Sequence, residues 1–230
     1  MIKKRNTQLL SENISSNVLF HFTDSSKKLQ SILTEGFKVT YVVEQLPAKN
    51  FYLAPMVCFC DIPLGGIKSH LARYGNYGLG VHKTFCKSEN INPVFYMHNT
   101  RVFNELFKME EKEISQNKII PYVKKYYGRD LKKNGEVRFY NEREWRYAPK
   151  GWVQLFQEES KAKKERYVKN KKVDNYLKFD IDKIEYIIVE NKSDIKAMIK
   201  FIDEQLGEKK EEKEMLYTKI ILSVRVKNDF

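Results

Sequence analysis

The sequence predicts an α+β fold, with a mixed β-sheet and flanking helices in a single domain. Short aromatic and β-branched runs alternate with segments whose apolar residues recur at helical spacing. No Pro/Gly/Ser-rich linker and no internal repeat divides the 230 residues. A chain of this length buries about 70% of its unfolded surface, so its core needs no disulfide or metal. We therefore expect one domain over residues 1–230.

The first half of the chain contains three helix patterns and four strand patterns. Residues 25–36 form a helix pattern that Ser25 or Asp24 caps and that a glycine ends. A second helix is predicted over 63–75, with proline at its start and glycine at its end. A longer helical pattern runs from residue 99 to about 127. The predicted strands are 18–23, 56–60, 77–81 and 93–97.

The second half is more charged. Residues 136–148 alternate in the manner of a strand or hairpin, and residues 157–172 form a charged, solvent-facing insertion. An amphipathic helix is predicted over 193–206, followed by a solvated loop or fraying helix end at 207–215. Three further strands are predicted at 176–180, 184–190 and 217–226.

Composition restricts the classes of function. There are 42 Lys and Arg against 30 Asp and Glu, so the net charge is +12, which favours an anionic partner such as nucleic acid, a dinucleotide or an acidic protein. Lysines spread along the whole chain explain this charge equally well; only 161–166 and 168–172 are dense runs. No stretch approaches the roughly 20 apolar residues of a membrane span, and no signal peptide is visible. We expect a cytoplasmic protein that does not enter membranes.

The three cysteines predict neither a disulfide framework nor a metal site. Cys58 and Cys60 have C-x-C spacing, whereas structural zinc sites favour two to four intervening residues. His82 and Cys86 add two countable ligands, but the cysteines lie in apolar runs, where a thiol packs as a small hydrophobic group. Motifs of P-loop enzymes, Rossmann dehydrogenases, zincins and G-x-S-x-G hydrolases are missing from the sequence. We therefore predict no metal.

The first candidate site residue is His21, inside the apolar strand pattern at 18–23. A hydrogen-bonded core histidine is the alternative. The strand and the helix after it resemble the opening of ADP-ribosyltransferases of the His-Tyr-Glu type, where the helix has the form L-x-x-I-L-x-x-G-[LF]. The corresponding residues here are Leu29, Ile32, Leu33, Gly36 and Phe37. In that family the His is held against a ribose hydroxyl of NAD and nearby backbone pairs with the nicotinamide amide. The resemblance implies that His21, Phe22 and Thr23 bind NAD.

The second candidate lies in residues 57–81. In those transferases a strand ending in F-x-D leads into a helix that supplies a tyrosine for stacking on the nicotinamide ring. Phe59 and Asp61 match the first part. The resemblance implies Tyr74 as the stacking ring, with Tyr77 behind it. Packing of both rings at a helix-to-strand turn is the alternative.

The third candidate is the pair Glu142 and Glu144. Alternate residues of a strand share a face, so the two carboxylates should lie side by side, neutralised by Arg138 and Arg146 of the same parity. A surface ladder of salt bridges is the alternative. E-x-E is also a form of the transferase catalytic element, in which the second Glu stabilises the oxocarbenium-like centre as nicotinamide leaves. The resemblance implies that Glu144 is catalytic and that Glu142 orients the acceptor.

Five motifs together, F-H-F-T, V-C-F-C-D-I-P-L, Y-G-x-Y-G-L-G, N-P-V-F-Y and E-R-E-W-R, resemble the AbiGi family of abortive phage-resistance proteins from Val18 to the strand at 184–190. That family is paired with a second component and has been labelled an antitoxin. The resemblances imply phage defence, a split sheet of the transferase type, NAD as co-substrate and a nucleic-acid or protein acceptor. The basic run at 161–166 is expected to flank the cleft. The alternative is a non-catalytic antitoxin or nucleic-acid-binding component of a phage-defence pair, with an operon-encoded partner.

Overall fold

The computed structural model describes residues 15–45, 50–98, 101, 117–129, 135–149, 154–157 and 175–229. The elements within them are β1 (Val18–Thr23), α1 (Ser26–Glu35), β2 (Phe37–Lys38), β3 (Thr40–Gln45), β4 (Asn50–Cys60), α2 (Lys68–Tyr74), β5 (Tyr77–His82), α3 (Thr84–Glu89), β6 (Asn92–Pro93), β7 (Phe95–Met97), β8 (Val123–Lys125), β9 (Tyr127–Arg129), β10 (Glu136–Arg138), β11 (Glu144–Tyr147), β12 (Gln154–Gln157), β13 (Tyr176–Leu177), β14 (Ile184–Val189), α4 (Lys192–Leu206), α5 (Lys210–Thr218), β15 (Ile220–Leu222) and α6 (Ser223–Asp229).

A mixed sheet organises the described residues. Its strands follow the order β15-β14-β5-β1-β4-β11-β6, and β3 and β12 also pair with β4. The β14–β15 pair is parallel, whereas β14–β5, β5–β1, β1–β4 and β4–β11 are antiparallel. The predicted α+β class with a mixed sheet is therefore confirmed.

The sheet divides along the eleven-residue strand β4. The first part of β4 pairs with β3 and β12, and its last part pairs with β11. Its pairing with β1 is confined to Phe20 and Cys60. Beyond that point β1 and β4 separate, which leaves space between the main chains of two central strands.

Helices cover both faces of the main sheet. Each face has its own apolar cluster, because alternate strand residues point to opposite sides. Leu19 and Leu79 pack with residues of α1 and α4 on one face, whereas Phe20 packs with residues of α2 and α6 on the other. Asn191 caps α4 and accepts from the backbone N–H of Asp194, whose carboxylate accepts from the Asn191 N–H in return. In the part of the chain that the structure describes, no helix is long and apolar enough to cross a membrane.

The second half of the chain departs most from the predicted elements. Residues 136–148 are not one strand or hairpin: β10 is followed by a 3₁₀ helix over Phe139–Glu142, and Arg143 is left-handed at φ +43° before β11 begins. The predicted loop at 207–215 belongs mainly to α5, and the predicted strand at 217–226 shrinks to β15 between α5 and α6. Helix propensity of the Lys/Glu run explains α5.

Two other predicted segments fall mostly beyond the described residues. Of the helical pattern at 99–127, residues 99–100 and 102–116 are not described, and its end forms a 3₁₀ turn and the strand β8 instead. The charged insertion at 157–172 lies outside the described residues except for its first position. The basic run at 161–166, expected to flank the cleft, also lies outside the described residues.

Gly75 provides a test of the turn between α2 and β5. Its φ is +119°, and a Cβ there would lie 2.2 Å from the Thr23 carbonyl oxygen. Gly207 is a matched control, because its φ is +53° and a Cβ would meet nothing within 4 Å. We expect Gly75→Ala to lower the free energy of unfolding by at least about 2 kcal/mol, against about 1 kcal/mol for Gly207→Ala. Urea unfolding measures both, and equal losses would contradict the close approach.

Candidate functional site

A cavity of about 230 Å³ occupies the space where β1 and β4 separate. Phe20, His21 and Phe22 of β1 form one wall, and Cys58, Phe59 and Cys60 of β4 form the facing wall. The remaining lining side chains are Val42, Glu44, His70, Tyr74, Lys124, Glu142 and Glu144. We call this space the β1–β4 cavity. Its lining combines aromatic rings with carboxylates, imidazoles and one ammonium group, as in many ligand-binding sites.

His21 is a neutral imidazole with a defined tautomer. Its Nδ1 lies 2.8 Å from the carbonyl oxygen of Cys58, and because a carbonyl only accepts, Nδ1 carries the proton. Burial lowers the pKa of His21, and this hydrogen bond offsets the effect only in part. The ring is therefore neutral near pH 7, with Nε2 as an acceptor. Such a nitrogen can accept a hydrogen bond from a ligand hydroxyl.

Helix α2 contributes two rings one turn apart, His70 and Tyr74. The Tyr74 hydroxyl donates to Glu142 Oε1 at 3.1 Å, and burial raises the tyrosine pKa, so the proton remains on the hydroxyl. His70 is 6% exposed, and its Nε2 has no hydrogen-bond partner among the described residues. Burial also lowers the pKa of His70, with the Glu142 charge opposing it. An unsatisfied ring nitrogen beside a cavity offers a hydrogen bond to a ligand.

Glu142 and Glu144 meet at one ammonium group. Lys124 Nζ donates to Oε2 of each carboxylate at 2.7 Å and lies 3.7 Å from Glu44 Oε1. Arg73 Nη1 lies 3.0 Å from Glu142 Oε1, on the oxygen that Tyr74 also contacts. The two glutamates are each 7% exposed, so these contacts lie in a region of low dielectric.

Arg146 joins these charged groups through further hydrogen bonds. It is fully buried, and its Nε donates to Glu144 Oε1 at 2.7 Å while Nη2 donates to Glu44 Oε1 at 2.6 Å. Its Nη1 donates to the hydroxyl of Tyr52 and to the carbonyl of Pro121, both at 2.7 Å. Every guanidinium nitrogen of Arg146 thus has a partner. We call Glu44, Lys124, Glu142, Glu144 and Arg146 the charge cluster.

The charge cluster keeps Glu144 and Lys124 ionised. Burial alone would raise the pKa of Glu144, but the charges of Arg146 and Lys124 outweigh it and hold this pKa well below its usual range. Burial alone would lower the pKa of Lys124, but the neighbouring carboxylates raise it well above its usual value. Glu144 therefore remains a carboxylate across the physiological pH range, as a residue that stabilises positive charge must be.

The cavity lining is acidic, although the whole chain carries a net charge of +12. Three glutamates and one lysine border the space directly, while Arg146 and Arg73 pair with these glutamates from outside the lining. Three cations therefore face the three carboxylates. The carboxylates that border the space can interact with a cationic or a neutral hydrogen-bonding group.

The structure brings together most of the residues singled out from the sequence. His21, Phe22, Tyr74, Glu142 and Glu144 all border the β1–β4 cavity, although the first and last are 123 positions apart in the chain. These positions are observed, whereas the functional roles of the residues stay predictions.

Tyr77 and Thr23, predicted to bind NAD, lie elsewhere. The Tyr77 hydroxyl donates to Asp194 of α4 at 3.0 Å, and burial together with this bond raises its pKa to about 12. Thr23 is buried where β1 meets the turn at Gly75, and neither side chain borders the cavity. Tyr77 therefore contacts α4, and its part in NAD binding stays a prediction.

The predicted arrangement of the two glutamates on one strand is wrong. Glu142 ends the 3₁₀ helix and Glu144 begins β11, with left-handed Arg143 between them. The predicted neutralisation by Arg138 is also wrong, because its guanidinium lies 5.4 Å from the centre of the Tyr127 ring. Lys124 neutralises the two glutamates instead of Arg138. The carboxylates converge through the turn rather than through strand alternation.

Sequence reasoning missed Lys124, Glu44 and His70. Lys124 is one of many lysines, and nothing local distinguishes it from its exposed neighbours. Glu44 reaches the charge cluster only because β3 pairs with β4. His70 did carry a signal: it precedes Tyr74 by four residues in a helix pattern, and such residues share a face. That spacing would have placed His70 beside Tyr74 in the predicted site.

Cys58 and Cys60 are thiols with raised pKa values. Burial raises the pKa of Cys58 and of Cys60, so both remain protonated near neutral pH. Across the described ranges, no group of three His, Cys, Asp or Glu residues is arranged to hold a metal ion.

The fold and the cavity define an α+β protein with a cavity inside a divided sheet, lined by charged and aromatic side chains. A family model described as "Putative abortive phage resistance protein AbiGi, antitoxin" matches residues 50–190. The abortive phage resistance protein AbiGi of Lactococcus lactis subsp. cremoris is 26% identical over an alignment of 231 positions. The alignment covers 81% of this chain and 92% of that protein. No solved structure matches. The chain belongs to the AbiGi family, which confirms the resemblance seen in its motifs.

Lys124 should be essential for stability. We expect Lys124→Met to lower the free energy of unfolding by about 3–5 kcal/mol, because it removes the cation that two buried carboxylates share. Lys28→Met is the control: it removes an exposed pair with Asp24 at 2.8 Å, and we expect no measurable change. Chemical unfolding of both variants measures the difference. A loss for Lys124→Met no larger than for the control would contradict the charge cluster as a structural centre.

Proposed function

We propose that this protein acts in phage defence as an NAD-dependent ADP-ribosyltransferase, with the β1–β4 cavity as its active site. The observation that carries the proposal is the convergence of His21, Tyr74, Glu142 and Glu144 on one cavity. These residues come from β1, α2, a 3₁₀ turn and β11, so their meeting is a property of the tertiary structure. They are the residue types that His-Tyr-Glu transferases use on NAD.

The cavity suits the nicotinamide end of NAD. Pockets for whole drug-sized ligands usually measure about 300–1,000 Å³, so a space of about 230 Å³ accommodates the nicotinamide ring and its ribose rather than the whole dinucleotide. The acidic lining complements the positive charge of the ribosyl-pyridinium. Tyr74 offers a ring for stacking, and His21 Nε2 offers an acceptor for a ribose hydroxyl. The phosphates and adenosine would lie outside the acidic space.

The proposed reaction breaks the bond between the ribose C1′ and the nicotinamide nitrogen. The electron pair leaves with the nicotinamide, which becomes neutral, and positive charge develops over C1′ and the ring oxygen. The ionised Glu144 stabilises that charge in the transition state. A hydroxyl or amine of the acceptor, or water, then bonds to C1′ and loses its proton.

Glu142 has a different environment from Glu144 and receives a different role. Tyr74 and Arg73 hold its Oε1, while Lys124 holds its Oε2. We assign Glu142 to orientation of the acceptor and Glu144 to the ribose of the nicotinamide half. For Glu144 to reach a ribose hydroxyl, the ligand must share or replace one of its contacts with Lys124.

Nicotinamide release tests the proposal. We expect wild-type protein to release nicotinamide from NAD in the presence of nucleic acid or cell lysate, and Glu144→Gln to reduce the rate about 100-fold or more. NAD affinity should change only a few-fold, because the lost interaction forms mainly in the transition state. Glu190→Gln serves as the control, since Glu190 is exposed and bonds to Asn76. Absence of nicotinamide release by folded wild type would refute the enzyme proposal.

A second candidate is a non-catalytic antitoxin. Two observations favour it: the family description contains the word antitoxin, and all four carboxylate oxygens of Glu142 and Glu144 already have cationic partners. In this case the cluster would stabilise a binding surface for a toxin.

Growth experiments separate the two candidates. An active transferase should slow growth when expressed alone, and Glu144→Gln should relieve that effect. An antitoxin should be harmless alone and should restore growth when co-expressed with its operon neighbour. Rescue that persists in Glu144→Gln would assign the protein to the second class.

A further inference from the structure

An exposed aromatic cluster lies beside the β1–β4 cavity and has no role in the site described so far. The ring centres of Tyr126 and Tyr140 are 5.2 Å apart in a stacked arrangement, and Tyr126 contacts Tyr127 at 4.7 Å. Tyr96 contacts Tyr140 at 5.3 Å, and His98 contacts Tyr127 at 5.7 Å. We call these five residues the tyrosine patch.

The patch is open to solvent at two of its rings. Tyr127 is 46% exposed and Tyr140 is 47% exposed, which is unusual for large aromatic side chains. Tyr126 contacts both rings, stacked on Tyr140 and in an edge arrangement with Tyr127. Half-exposed aromatic rings offer flat faces on which a planar group can stack.

Two contacts connect the patch with the candidate catalytic residues. Tyr140 lies in the 3₁₀ turn that ends at Glu142, whose side chain borders the cavity. The Tyr96 hydroxyl accepts a hydrogen bond from the backbone N–H of Glu144 at 2.8 Å. A group bound on the patch would therefore lie next to the glutamate side of the cavity.

The surrounding chain is strongly basic. Residues 117–149 contain nine Lys and Arg but four Asp and Glu. Lys124 and Arg146 are buried together with Glu142 and Glu144, which leaves seven cations and two acids of this stretch outside the charge cluster. Exposed Arg138 lies over the ring of Tyr127, with its guanidinium carbon 5.4 Å from the ring centre. Aromatic rings combined with positive charge are the means by which proteins bind single-stranded nucleic acids without reading sequence.

We propose that the tyrosine patch binds single-stranded nucleic acid, with bases stacked on Tyr127 and Tyr140 and phosphates facing Arg138. The inference that nucleic acid bound on the patch accepts ADP-ribose rests on the proposed function, whereas the inference that the patch binds nucleic acid does not. In this arrangement the phosphates meet Arg138, while the cavity, which three glutamates border, receives the nicotinamide half of NAD.

The binding test uses fluorescently labelled oligonucleotides of deoxythymidine and of uridine, without NAD, followed by anisotropy. We expect binding that weakens steeply with salt and that falls roughly five-fold or more in Tyr140→Ala and in Tyr127→Ala. Tyr140→Phe keeps the ring and should bind like wild type. Tyr176→Ala is the matched control, because Tyr176 also has a cation over its ring, Lys178 at 5.5 Å, but lies outside the patch.

The outcomes are distinct. Absence of oligonucleotide binding by folded wild type overturns the inference, and so does equal binding by wild type and the two alanine variants. If those variants instead lose only co-purification with the operon neighbour, the patch is a protein interface and the inference is wrong. Transfer of labelled ADP-ribose to the oligonucleotide, with nicotinamide measured in parallel, examines the acceptor role. Patch-dependent binding without any nicotinamide release refutes the proposed function while the nucleic-acid site stands.

Discussion

The ammonium group of Lys124 is the contact on which the arrangement of the site depends. It holds a carboxylate oxygen of Glu142 and one of Glu144 at 2.7 Å, in a part of the protein where two unneutralised carboxylates would repel each other. Arg146 and Glu44 extend the same network to β11 and β3. Removal of one member leaves a buried charge with an incomplete set of partners, which lowers the free energy of unfolding by a large amount.

This network also links local backbone geometry with the sheet. Arg146 and Tyr52 bond to the carbonyl oxygens of Pro121 and Val123, which fixes the segment that presents Lys124. Arg143 adopts a left-handed conformation, and its Nε donates to the carbonyl of Asp61 at the end of β4. The 3₁₀ turn and β11 therefore approach the end of β4 from a defined direction, and the glutamates enter the cavity.

The separation of β1 from β4 has the complementary effect. A continuous ladder between these central strands would fill the space that the cavity occupies. Instead, the His21 side chain donates to the Cys58 carbonyl, so the open part of the sheet retains a hydrogen bond at that carbonyl. The imidazole of His21 thus supplies a hydrogen bond where the two strands do not pair, and its other nitrogen remains available to a ligand. The tyrosine patch adjoins the same segment, because Tyr140 lies in the 3₁₀ turn that ends at Glu142 and the Tyr96 hydroxyl accepts from the backbone N–H of Glu144.

Local pattern was sufficient to predict several parts of this protein. The strand with His21, the helix capped by Ser25, the α+β class and the AbiGi motifs depend on nearest-neighbour chemistry and on residue order. The convergence of Glu142 with Glu144 required more, because strand alternation predicted the right neighbours by the wrong geometry. Lys124 and Glu44 were decided only by tertiary structure. Their function depends on which distant strand they meet after folding, and a lysine or glutamate carries no local signal of the charge that will face it.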